Sequence, residues 1–181
     1  MFPLLKKEGR SSGEYSRKYD YPVTDRYYTS PLIRTKQTFE ILYPGRHLDG
    51  ILPGFIEMSF GDTEGLPESF AGSLTEYYAR WSRGEKLWNG ESIYDMKERM
   101  AESVRDLLEK MRTEGLKSVT VVTHSCAIKT ILMNCRYMSD EYTSVFVHPG
   151  MGYRLTFGYD GETVTPVKME YVPVEMEWQP T

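Results

Sequence analysis

In one long segment, Ile93, Met96, Met100, Val104, Leu107, Leu108 and Met111 recur at three- and four-residue spacing, the repeat of one face of an α-helix. Ser92 with Asp95 resembles a capping box, and Gly115 stands where a C′ glycine belongs. The pattern therefore predicts a core-facing helix that begins at Ser92 and ends at Gly115. Its methionines read as core filler rather than as a metal or cofactor box. Next, Ser118 to Thr123 is a β-branched run, expected to form a buried strand. Ile128, Ile131, Leu132 and Cys135 then give the following segment one apolar face, so a strand-to-helix turn is expected at His124.

Upstream, Asp25 to Thr29 is a short strand candidate, and Ser30-Pro31 reads as an N-cap followed by proline at the first helical position. That helix should run from Pro31 to about Leu42 and end at Tyr43-Pro44-Gly45. Another helix is expected from Leu74 to Arg83, stopping at Gly84. Residues 6 to 19 carry Gly9 and Gly13 and support a helix only weakly. Near the C-terminus, Gly152 to Phe157 and Thr163 to Met169 flank Asp160-Gly161, a hairpin signal, and residues from about 170 to 181 read as a tail. Alternating strands and helices with no internal repeat predict one α/β domain.

Composition narrows the function. The chain has 181 residues, with 22 basic and 26 acidic side chains and a formal net charge of −4. Its mean hydropathy is −0.50, as in a globular chain with a real core. Scattered basic residues in an acidic chain argue against a nucleic-acid partner. No apolar run approaches the roughly 20 residues of a membrane span, and the N-terminus shows no signal-peptide pattern. A cytoplasmic protein is expected, with Cys126 and Cys135 as reduced thiols.

Three segments can carry chemistry. His124 sits at the carboxyl end of an apolar strand and just before a helix, where backbone amides and the helix dipole favour an anion; the plainer alternative is a buried histidine satisfied by a carbonyl. Arg34 lies in the first turns of a helix that follows a strand. Its planar fork suits a phosphate, although a helical arginine is more often solvated surface. Glu57 lies between apolar residues, a setting that raises a carboxyl pKa and suits a proton donor; otherwise it is an ordinary loop glutamate. Asp62 and Glu64 are expected to be solvated.

The order of these segments distinguishes them from coincidence. Ser-Pro-Leu-x-Arg-Thr from Ser30, the Glu57 to Gly65 segment, Gly90-Glu-Ser92 before the long helix, and Val121-Val-Thr-His124 together resemble the histidine phosphatase superfamily, the phosphoglycerate mutase-like family. Within it, the chain looks most like bacterial α-ribazole phosphatases and related phosphomonoesterases. The resemblance extends from about Pro3, in a Pro-Leu-x-x-x-Gly-like stretch, to about Phe157. It implies a three-layer α/β/α fold with a largely parallel sheet. It also implies that Arg34 holds the transferred phosphoryl group, Glu57 gives a proton to the leaving oxygen and His124 stabilises the phosphoryl group. Ser125 and Cys126 follow His124 where the family has small residues led by glycine, which places Ser125 at the phosphate.

The family's first strand ends in Arg-His-Gly, whose histidine is the nucleophile, and no such triplet occurs in these 181 residues. Its place falls just before Met1. His47, after a helix end, and His148, before Pro149-Gly150, read as loop residues rather than replacements. Two readings follow: a histidine phosphatase whose first strand is lost through a late start or truncation, or a non-catalytic relative that binds a phosphorylated ligand. A third is an α/β domain with no phosphate site. Either of the first two should bind phosphate better than it turns it over. A lost strand would leave unpaired backbone near mid-sheet, and reduced stability or self-association through that edge is expected. A small phosphorylated metabolite is the expected partner, with no metal or organic cofactor. Selectivity is assigned to Ser69–Asn89, where Phe70, Tyr77, Tyr78, Trp81 and Trp88 read first as packing.

Overall fold

The computed structural model describes residues 12–14, 16–66, 74–139 and 147–172. The Pro3 to Arg10 stretch, Phe70 and residues 173–181 lie outside them. Residues 12–14 and 16–18 are helical.

A three-stranded parallel sheet organises the chain. β1 (Arg26–Thr29) lies between β2 (Gly50–Ile51) and β3 (Val119–Val122). β1 runs in register with β3 from Arg26 opposite Val119 to Thr29 opposite Val122. At the start of the pair, the Asp25 carboxylate accepts hydrogen bonds from the Lys117 and Ser118 amides at 2.8 and 2.9 Å. Those bonds hold its pKa below the usual carboxylate range. β2 is two residues long and leaves no periodic pattern that a sequence reading could detect.

Helices cover both faces, as a parallel sheet requires. α1 (Ile33–Leu42) packs Phe39 on Tyr27 and Tyr43, with Val122 and Leu42 at the margin. On the other face, α3 (Ile93–Glu114) and α4 (Ser125–Asn134) form the larger core, with Met96, Met100, Ala127 and Ile131 at its centre and Val121 against it. Neighbouring residues Val121 and Val122 thus point to opposite clusters, the period-two alternation of a strand. α2 (Leu74–Ser82) adds Tyr77 and Trp81 to the larger core. Trp81 is fully buried and its indole N–H donates to Glu91 O at 2.8 Å. The aromatics of this region therefore serve as packing: Tyr77 and Trp81 are buried, and Tyr78 and Trp88 are packed against them.

α3 starts at an Ser92 N-cap with a full capping box to Asp95 and ends at Gly115 in the left-handed conformation, φ +68°. The antiparallel hairpin β4 (Gly152–Tyr159) and β5 (Val164–Val172) turns at Asp160-Gly161. The Asp160 carboxylate accepts the amides of Glu162 and Thr163.

Several expectations need correcting. Ser30 does not cap α1. The helix begins at Ile33, with Leu32 at the cap and no side-chain cap bond; the Ser30 hydroxyl accepts the Leu32 amide at 3.3 Å, ahead of the helix, and is shared with His124. β5 reaches Val172, so the tail cannot begin at 170. β3 is half-buried at all four positions rather than buried. It is the last strand of its sheet, and β4 and β5 pair only with each other among the described residues.

Candidate functional site

β1 and β3 are parallel, so their carboxyl ends deliver the residues that follow them to one edge of the sheet. Ser30 and Arg34 arrive from β1, and His124 and Ser125 from β3. Arg34, Glu57, His124 and Ser125 line one cavity of about 640 Å³.

His124 is 6% exposed and both its ring nitrogens are bonded. Arg34 Nε donates to Nδ1 at 3.2 Å, and Nε2 lies 2.6 Å from Ser30 Oγ. Since Nδ1 accepts, the neutral ring carries its proton on Nε2 and donates it to Ser30; this tautomer follows from the hydrogen-bond network. Ser30 Oγ in turn lies 3.1 Å from Thr35 Oγ1, which donates to Leu32 O at 2.7 Å. The result is a relay Arg34–His124–Ser30–Thr35. Burial, with the charges of Arg34 and Arg99, pulls the His124 pKa down to about 3, so the ring is neutral at physiological pH. The Arg34 Nη groups make no hydrogen bond among the described residues, and its side chain is half-buried at the cavity.

Glu57 is half-buried at the amino end of α4. It accepts from Met58 N at 3.0 Å and, more weakly, from Cys126 N at 3.5 Å. Burial raises its pKa against these bonds and the Arg34 charge. A carboxyl held above its ordinary range beside a guanidinium and a helix N-terminus can hold a proton and deliver it.

The segment that carries Glu57 is fastened by residues with no sequence signal of their own. Arg99 makes two hydrogen bonds to the Glu91 carboxylate, at 2.7 and 2.6 Å, and donates to Gly54 O and Ile56 O at 2.7 and 3.0 Å. Thr123 Oγ1 donates to Phe55 O at 2.6 Å. A Cβ on Gly54 would lie 2.1 Å from Ser103 Oγ, so only glycine lets this turn press against α3. Arg99 and Ser103 are polar residues at the margin of the apolar stripe of α3, partly buried against the Gly54 turn, so the apolar pattern gave no reason to single them out.

The remaining candidates are not brought in. His47 is exposed after α1. His148 is exposed on the lip of the cavity beside Gly150. Gly150 O is held by the Tyr21 hydroxyl at 2.6 Å, and Tyr21 packs on Tyr43 at the end of α1 opposite Arg34. Asp62 and Glu64 tie their own loop, to Asn89 and to Phe60 N. Among the described residues, no three His, Cys, Asp or Glu side chains gather as a metal site needs, and no helix is long and apolar enough to cross a membrane.

Against known families, the model described as "Histidine phosphatase superfamily (branch 1)" matches residues 6–168. The chain belongs to the histidine phosphatase superfamily. Solved structures agree at the level of fold. A mycobacterial glucosyl-3-phosphoglycerate phosphatase superposes with a TM-score of 0.67 at 17% identity over 93% of this chain and 86% of that one. A phosphoserine phosphatase from Entamoeba histolytica, solved with 3-phosphoglyceric acid, gives 0.62 at 22% over 92% and 83%. The α-ribazole phosphatase of Shigella flexneri gives 0.58 at 21% over 77% and 70%. No curated protein matches the sequence. The superfamily assignment and the mixed α/β architecture with a parallel sheet agree with the sequence-based expectations.

Proposed function

We propose that this superfamily member binds the phosphoryl group of a small phosphorylated metabolite at Arg34, His124, Ser125 and Glu57, and that it holds such esters better than it hydrolyses them. One observation carries the reading: Arg34 and His124 are in contact, with Glu57 and the amino end of α4 beside them in the same cavity. The Arg34 fork and the α4 amides supply the positive charge that a phosphate needs. Glu57 supplies a proton for a leaving oxygen.

Hydrolysis through a covalent intermediate also needs an imidazole in line with that oxygen. His124 has both nitrogens engaged, His47 is exposed after α1, and His148 is exposed at the lip of the cavity, by the Tyr43 end of α1 rather than the Arg34 end. This favours the binding reading over the hydrolytic one.

Titration calorimetry with inorganic phosphate, beside an assay with p-nitrophenyl phosphate, tests the proposal. Phosphate should bind, turnover should stay at background, and Arg34→Ala should weaken binding by at least about ten-fold, the loss of one charge-assisted contact. Binding unchanged in both Arg34→Ala and His124→Ala would leave a plain α/β domain. Turnover well above background that His124→Ala removes would restore the hydrolytic reading.

A further inference from the structure

Cys126, in the first turn of α4, is a buried thiol that phosphate binding leaves unused. It is 5% exposed and does not line the cavity, whereas its neighbour Ser125 and Glu57 do. It belongs to the larger core, and Tyr78 packs against the same cluster. The Tyr78 ring is fixed there edge-on to Tyr77 at 5.4 Å and to Trp81 at 6.3 Å. The Cys126 amide reaches Glu57 Oε2 at 3.5 Å, and its side chain makes hydrogen bonds with the Glu57 carboxylate and with the Tyr78 hydroxyl. The sulfur therefore meets the carboxylate from the core side, with the pocket on the other. We infer that the Cys126 thiol is a positioning residue for the Glu57 proton: it carries a hydrogen-bonded series from the Tyr78 hydroxyl to the Glu57 carboxylate and so governs whether that carboxyl holds or releases its proton.

The donors fix the direction of the series. A carboxylate only accepts, so the thiol gives its proton to Glu57 and leaves its sulfur as the acceptor for the phenol. Both neighbours respond with the sign this order requires. Burial raises the Tyr78 pKa, and the hydrogen bond to Cys126 raises it further, as it does for a phenol that donates. Burial raises the Glu57 pKa too, but there the Cys126 side chain works against it, together with the Met58 and Cys126 amides and the Arg34 charge. A phenol that donates to the sulfur also polarises the S–H and strengthens its bond to the carboxylate.

Other groups face Glu57 from the elements around it. Arg34 stands on α1, and Lys129, one turn after Cys126 on α4, is buried, with Cys126 and Glu57 opposing the effect of burial on its ammonium. Tyr78 is the group from α2, His124 is neutral, and Arg99 on α3 acts on His124. A substitution at Cys126 leaves all of these in place. Beside a bound dianion, a neutral Glu57 donates a hydrogen bond and an ionised one repels, so the thiol sets the pH range over which the pocket binds. That consequence rests on the phosphate reading, whereas the hydrogen-bonded series does not.

The test is a carbon-13 NMR titration of the Glu57 carboxyl in the full chain from pH 4 to 8, with the signal assigned by its loss in Glu57→Gln. The parent should titrate above the ordinary value of about 4.3. Cys126→Ala should raise the midpoint by at least about half a pH unit, a fraction of what a hydrogen bond to a charged group is worth. Tyr78→Phe, which removes one oxygen and keeps the ring in the core, should raise it by less. Cys126→Ser keeps a donor in place and should titrate at or below the parent. A thiol that only fills space would leave the midpoint unmoved. The inference is overturned by an equal or lower midpoint in Cys126→Ala, by no rise in Tyr78→Phe, or by Cys126→Ser behaving as Cys126→Ala does. Calorimetry with sulfate, a dianion throughout this range, separates this inference from the phosphate reading. Its affinity should fall as the pH rises through the Glu57 midpoint, and the fall should lie at higher pH in Cys126→Ala. Midpoints ordered as stated with no sulfate binding would keep the inference and overturn the phosphate reading.

Discussion

At the scale of single residues, the site is governed by what surrounds His124. A histidine that ends a strand can be a ligand or a buried ring satisfied locally, and here it is both near an arginine and fully bonded. Its folded pKa of about 3 lies below the roughly 6.5 of an unfolded chain. The unfolded state therefore takes up a proton first as the pH falls, and the stabilisation from the neutral ring is full above about pH 6.5 and declines toward pH 3. Between those limits, His124 contributes a slope approaching about 1.4 kcal/mol per pH unit. Glu57, with a raised pKa, acts in the opposite sense, so the parent must be compared with a variant. Urea midpoints from pH 7 to 4 should fall more steeply for the parent than for His124→Gln; parallel curves would contradict the assignment. Ser30 shows the limit of local reading. Ser-Pro is a sound helix-start signal, and the hydroxyl does accept the Leu32 amide, but the helix starts only at Ile33 and His124, 94 positions later, shares that hydroxyl.

At the scale of elements, the helix ends were the most legible features because their chemistry is local. The Ser92–Asp95 box and the left-handed Gly115 both stand where residue type and spacing placed them. Ser92→Ala should cost about 0.5–2 kcal/mol, read as a lower urea midpoint with an unchanged slope. The Gly54 turn was not legible, since its need for glycine arises from Ser103, 49 positions further on. Gly54→Ala should destabilise by about 1–3 kcal/mol through overpacking. Ser103→Gly should recover part of the loss in the double variant, and additive losses would show that the contact is not the cause. Arg99 belongs to this scale too. It joins α3 to the backbone before Glu57, so Arg99 fixes the Glu57 segment without itself lining the cavity.

At the scale of the whole molecule, the described residues form two sheets rather than one. The parallel sheet is sandwiched between two helical layers, and the β4–β5 hairpin is a two-stranded unit, a size that is marginal alone. Hydrogen exchange should therefore find the paired amides of β4 and β5 opening at lower free energy than those of β1. Equal protection would mean that the hairpin shares the cooperativity of the core. Sequence alone determined the elements other than β2 and their order, the two caps of α3, the hairpin turn, and the candidacy of Arg34, Glu57 and His124, because each rests on neighbours within a turn or two of chain. Only the tertiary structure decided that Arg34 and Ser30 occupy the two sides of one imidazole, that Arg99 and Gly54 fix the Glu57 segment, and that β1 lies between β2 and β3 among the described residues. Those facts depend on which distant backbones meet, and no local periodicity carries that information.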